Sequence, residues 1–93
     1  MIVGILTVEL RIPESLSLKD KRMVLKSIKD KIRNRFNVSV AEIDGQDKWQ
    51  ASVLGIAYVG TERIHVDQAL SKIVDFIKES RQADLINYNT ELI

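Results

Sequence analysis

The 93-residue sequence predicts an α+β domain with the element order β-α-β-β-α-β. Three observations carry this reading. Residues 2–12 place apolar side chains at every second position, the period of a strand. Residues 17–36 and 62–80 repeat their apolar side chains at spacings of three, four and seven, as amphipathic helices do. Residues 38–44, 49–59 and 84–93 are short β-branched runs separated by Gly, Asn and Asp turn formers.

In the first strand Ile2, Leu6, Val8, Leu10 and Ile12 share a face with Gly4, while Val3, Ile5, Thr7, Glu9 and Arg11 take the other. Pro13 ends it, because proline has no N–H for the ladder. Ser17 suits a helix N-cap, with Asp20 in the first turn. Leu18, Leu25, Ile28, Ile32 and Phe36 form the core stripe of the first helix, and Asn37 breaks it. The run VSVAEID is a second strand and GQDK a turn, after which the third strand opens at Trp49. Gly60 and Thr61 lead into the second helix, which offers Val66, Leu70, Ile73, Val74 and Ile77 to the core. The tail forms a last strand with Ile86, Tyr88, Thr90 and Leu92 on one side. Right-handed crossovers then set the first and third strands side by side at the centre of an antiparallel sheet, with both helices on one face. This is the ferredoxin-like arrangement, one domain spanning residues 1–93. It hosts many unrelated functions, so function has to be argued from a site.

Several chemistries are absent. The chain has no cysteine, which removes disulfides and thiol chemistry. The four glycines are scattered and form no phosphate cradle. His65 is the sole histidine and sits near the start of the second helix, with only Glu62 and Asp67 nearby in sequence; it reads as a surface residue. Glu42, Asp44 and Asp47 cluster around the second turn but match no cation-loop spacing, so they read as solvated turn formers. RNA-recognition motifs stack bases on aromatics of the two central strands, and here GILTVEL has no aromatic and SVLGIAYV only Tyr58. No catalytic constellation, metal site or cofactor site emerges. The opening MIVGILTVEL alternates like a strand and carries Glu9, unlike a signal segment, and no run is long enough to span a membrane; a cytoplasmic protein is expected.

What remains is charge. Eight of the 14 basic residues lie between Lys19 and Arg35, opposed there only by Asp20 and Asp30; the rest of the chain holds six basic and eleven acidic residues. At 100° per residue, Lys19, Arg22, Lys26, Lys29 and Arg33 fall within about 80° of arc, a ridge beside the apolar stripe and roughly 21 Å long. A surface built for stability would place acids four residues before these cations, and the wheel assigns none to the ridge. A polyanion would relieve the repulsion, and a phosphate backbone bound without base readout is the natural candidate. The competing reading is a solubilising outer face. Trp49 is expected to pack across the sheet edge or in an interface, because burying an indole is worth a large apolar area.

The stretch SLSLKDKRMVLKSIKDKIRNRFNVSVAEIDGQDKWQ, with HVDQALSKIVDFI further on, resembles the YlxP-like family of small bacterial proteins of unknown function. Ser17, Lys19, Asp20, Lys21, Arg22, Asn37, Glu42, Asp47, Trp49 and Gln50 carry the likeness. It implies a ferredoxin-like fold and, because genes of the family often lie among translation and transcription-termination genes, a ribosome or RNA connection. It implies no catalytic residue.

Two functional expectations follow. The first is a non-catalytic RNA- or ribosome-associated protein whose ridge contacts phosphates. The second is a homo-oligomeric interaction module without nucleic acid. A homodimer packed through the open sheet face or a sheet edge is expected on either, because the third strand is apolar on both sides: Val53, Ala57 and Val59 on one, Leu54, Ile56 and Tyr58 on the other.

Overall fold

The computed structural model describes residues 1–93. Strand β1 (Ile2–Arg11) leads through helix α1 (Leu18–Arg35) to strands β2 (Ser39–Asp44) and β3 (Ala51–Gly60). Helix α2 (Arg63–Lys78) and strand β4 (Asp84–Leu92) complete the chain. The sheet runs β2-β3-β1-β4 with every pairing antiparallel. The two most apolar strands therefore lie at the centre, as expected, and the fold is ferredoxin-like.

The faces are decided by burial. Leu6, Val8 and Leu10 of β1, Leu54 and Ile56 of β3, and Val40 of β2 point under the helices. Leu25, Ile28 and Ile32 of α1 and Leu70, Ile73, Val74 and Ile77 of α2 close over them. Each such side chain contributes about 1.5–3 kcal/mol by leaving water. Val3, Ile5, Val53 and Ala57 are left half-buried and Val59 exposed on the opposite face, which nothing covers. Gly4 sets how closely α2 can approach: a Cβ there would lie 2.6 Å from Val66 Cγ1. A second clamp joins the helix ends, where the Phe36 and Phe76 rings meet edge-on at 5.8 Å and the Arg35 guanidinium lies 5.3 Å from the Phe76 centroid.

Two local readings change. A bulge at Glu9/Leu10 sets Leu85 opposite Leu10 and Asn87 opposite Glu9. An extra residue resets the alternation of one strand, so Leu85 joins the core. Ile86 turns to the open face, away from the side of Tyr88, Thr90 and Leu92. Strand β3 begins at Ala51, leaving Trp49 on the preceding turn, where it is 56% exposed and does not pack across the sheet edge. The positive φ of Gly45 and the hydrogen bonds that hold this turn keep the chain out of the ladder until Ala51.

Candidate nucleic-acid interface

Helix α1 starts at Ser17, whose Oγ accepts from the Asp20 N–H at 3.0 Å. Asp20 answers by accepting from the Leu16 N–H at 3.1 Å. The helix thus fills its positive end with its own carboxylate, which leaves little for an external anion there. The remaining charges sort around the helix. Lys19, Arg22 and Lys29 make no hydrogen bond or ion pair within the chain. Lys26 donates to Asp30 at 2.8 Å, and Arg33 stands 3.8 Å from the same carboxylate.

Asp30 corrects the reading of an acid-free ridge: at 100° per residue it falls only about 20° beyond Lys19, and its carboxylate serves two of the ridge's cations. The hydrogen bond from Lys26 holds its carboxyl below the ordinary range, with the nearby charges of Lys26, Arg33 and Lys29 acting in the same direction. One acid among five cations still leaves the ridge strongly positive.

The ridge has a defined place in the fold. Arg33 Nη2 donates to the Val40 carbonyl of edge strand β2 at 2.7 Å. At the other end of α1, the turn after β2 is fastened to the first helical turn. The ridge therefore runs along the β2 side of the sandwich, with Lys19 and Arg22 nearest the β2–β3 turn and Arg33 nearest the start of β2.

The fastener is Lys21. Its side chain is 1% exposed, and its Nζ donates to the Gly45 carbonyl at 2.7 Å, the Ala51 carbonyl at 3.2 Å and the Gln46 carbonyl at 3.4 Å. It also pairs with Glu42 at 3.0 Å, and Glu42 accepts from Ser52 Oγ at 2.7 Å. A buried ammonium needs both a counter-ion and its donors satisfied, and this one has both. Sequence reasoning left Lys21 without a role. The signal was available, since at 100° per residue Lys21 falls inside the apolar stripe rather than on the ridge.

Gln50 performs the second fastening. Its Nε2 donates to the Ser15 and Pro13 carbonyls at 3.0 and 3.2 Å, and its own carbonyl accepts from Ile12 N–H at 2.9 Å. Ser17, Asp20, Lys21, Glu42 and Gln50 are thus accounted for by the fold. Lys19, Arg22, Asn37, Asp47 and Trp49 are exposed and make no side-chain hydrogen bond or ion pair.

The remaining surface offers no reactive arrangement. A hollow of about 390 Å³ between the second half of α1 and the end of α2 is lined by Ile28, Lys31, Phe76, Arg81 and Gln82 among others, and no histidine or carboxylate pair converges in it. His65 is exposed and stands 3.7 Å from Glu62 alone. No three His, Asp or Glu side chains gather as a metal site, and no helix is long and apolar enough to cross a membrane.

Comparison with known proteins places the chain in a family. The family described as "Protein of unknown function (DUF503)" matches residues 3–90. The chain belongs to the DUF503 family. It is 41% identical over 75 residues to the "Uncharacterized protein YlxP" of Bacillus subtilis (strain 168), covering 81% of this chain and 82% of that protein. Neither the DUF503 description nor the relative's name attributes an activity.

Proposed function

We propose that this DUF503 protein is a non-catalytic RNA-binding protein that contacts the phosphate backbone through Lys19, Arg22, Lys26, Lys29 and Arg33. The observation that carries the reading is the idle state of three of these cations. Lys19, Arg22 and Lys29 make no hydrogen bond or ion pair within the fold, whereas the neighbouring Lys21 and Arg33 are put to structural use. Cations aligned over roughly 21 Å of helix span several phosphates. Such contacts position a strand without reading its bases.

Fluorescence anisotropy with labelled ribosomal RNA fragments at low salt tests the proposal. Lys26→Glu with Lys29→Glu should weaken binding to all RNA sequences alike, with the circular dichroism spectrum unchanged. Absence of binding by the parent protein, or binding indifferent to the double substitution, overturns it.

A further inference from the structure

Trp49 stands out as a large aromatic held in water on a rigid support. The turn that carries it is fixed on both sides. Lys48 N–H donates to the Gly45 carbonyl at 3.0 Å, Lys21 grips the Gly45, Gln46 and Ala51 carbonyls, and Gln50 is tied to Pro13, Ser15 and Ile12. Yet the indole itself is 56% exposed, its N–H makes no hydrogen bond, and no ring or cation lies over it. A core residue would be covered, and a residue without use would not need so well-fastened a turn.

We infer that Trp49 is a stacking residue for an unpaired base at the Lys19–Arg22 end of the ridge, which makes single-stranded RNA the preferred ligand. The inference rests on the RNA reading above and sharpens it. Lys21 and Gln50 both reach from or toward the first turn of α1, so the turn that presents the indole lies at that end of the helix. A charged track with an aromatic at its end is how strands are held without sequence readout: the cations take the backbone and the ring takes any base face. An indole on a fixed turn brings this contact area with little ordering cost. In a duplex the bases are already stacked on one another, so the ring would gain nothing.

The test uses the intact protein with a 12-nucleotide oligouridine and a 12-base-pair RNA duplex as probes, read by anisotropy and by tryptophan emission. Emission should be quenched by the single strand. Trp49→Ala should weaken single-strand binding by about 5- to 150-fold, Trp49→Phe should restore part of it, and duplex binding should stay within a factor of two. Equal affinity for both probes, with Trp49→Ala silent and Lys26→Glu/Lys29→Glu weakening both, overturns the stacking role while leaving the ridge as an RNA contact. No binding of either probe by the parent protein overturns both readings together.

A second inference comes from the sheet edges, independently of RNA. Edge strand β2 is short, bulged between Glu42 and Asp44, and covered at Val40 by Arg33. Edge strand β4 has nine residues with neither proline nor lysine. Val3 and Ile93 exchange both backbone bonds, at 2.8 and 2.9 Å, so the alternate residues Tyr88, Thr90 and Leu92 direct their N–H and C=O groups away from β1. Only the Tyr88 N–H is covered, by Asn87 Oδ1 at 2.9 Å. Natural proteins avoid leaving such an edge open.

We infer that β4 pairs with β4 of a second copy about a two-fold axis through Thr90. In this register Tyr88 meets Leu92 of the second copy, Thr90 meets Thr90, and Glu91 faces Asn89 rather than its own copy; about four backbone bonds form with the Tyr88 N–H left on Asn87, and about six if it turns to the second copy. Shifting the axis to residue 91 would oppose two carboxylates. Helix α2 would lie near the join, since it packs on β4, and the two α1 ridges would stand at opposite ends of an eight-stranded sheet.

Light scattering during size exclusion tests this, with Thr90→Pro as the probe, because it removes only an outward donor and spares the β1–β4 ladder. The parent should run at twice 10.6 kDa and the variant, folded by circular dichroism, at 10.6 kDa. Tyr88→Lys, on the same edge, should also dissociate it. A monomeric parent at 100 micromolar, or a dimer insensitive to both folded variants, overturns the pairing.

Discussion

Lys21 and Glu42, 21 residues apart in sequence, meet at 3.0 Å beneath the turn that joins β2 to β3. This contact ties the start of α1 to the end of β2 and closes a loop through α1 itself. It also sorts the basic residues of α1 into one that is consumed by the fold and several that are not.

Breaking the pair from one side should cost far more than removing it altogether. Lys21→Met keeps most of the buried stem but leaves the Glu42 charge and three carbonyls short of a donor, at about 3 kcal/mol. For a domain of this size that lowers Tm by at least roughly 10 °C. Adding Glu42→Leu should recover part of the loss. Thermal unfolding of the two single variants and the double variant measures the coupling; strict additivity would mean that the pair contributes nothing.

Asp30 is predicted to restrain the ridge. Asp30→Asn frees Lys26 and removes the one negative charge beside the ridge, while Arg33 stays on the Val40 carbonyl, so RNA affinity at 0.1 M salt should rise roughly threefold. Tm should hardly move, because exposed ion pairs contribute little. The same logic fixes the pH dependence. Asp30 has its folded-state pKa lowered, so its pairing is intact above the unfolded carboxylate range and is lost as pH falls through the lowered value. The parent's affinity should therefore rise at the acid end and that of Asp30→Asn should not, which paired anisotropy titrations would show.

The two sides of β3 should respond oppositely to charge. Leu54 is fully buried and Tyr58 packs against the core, so Leu54→Lys with Tyr58→Lys should unfold the chain. Val59→Lys, on the exposed face, should leave it folded, with Tm within a few degrees of the parent. Circular dichroism melts decide this, and a folded Leu54→Lys/Tyr58→Lys protein would reverse the faces.

The fold was legible because its signals are periodic. Period-two burial in β1 and the three-four spacing of Leu25, Ile28 and Ile32 survive in the structure unchanged. What periodicity could not reveal depends on single residues. One inserted residue near Ile86 resets the alternation of β4, and nothing local in an apolar run marks where a bulge will fall. The side of β3 that meets the helices was undetermined because both sides are apolar; burial settles it in favour of Leu54 and Ile56. At the ridge, the positions of the five cations on one side of α1 were readable from the helical angle. The Lys26–Asp30 and Arg33–Asp30 contacts, at i,i+4 and i,i+3, and the place of Lys21 in the apolar stripe were readable in the same way. The partners of Lys21 and the capping of Val40 by Arg33 were not, because flexible side chains choose partners that only the tertiary fold brings near.

The central claim, that the basic ridge of α1 binds a phosphate backbone, is tested most directly by the salt dependence of RNA affinity. Anisotropy titrations from 50 to 300 mM potassium chloride should give a log–log slope of about −2 to −4, as three to five phosphate contacts require. Lys26→Glu with Lys29→Glu should reduce the magnitude of that slope by about 2. A slope near zero, or one unchanged by the double substitution, would contradict the account.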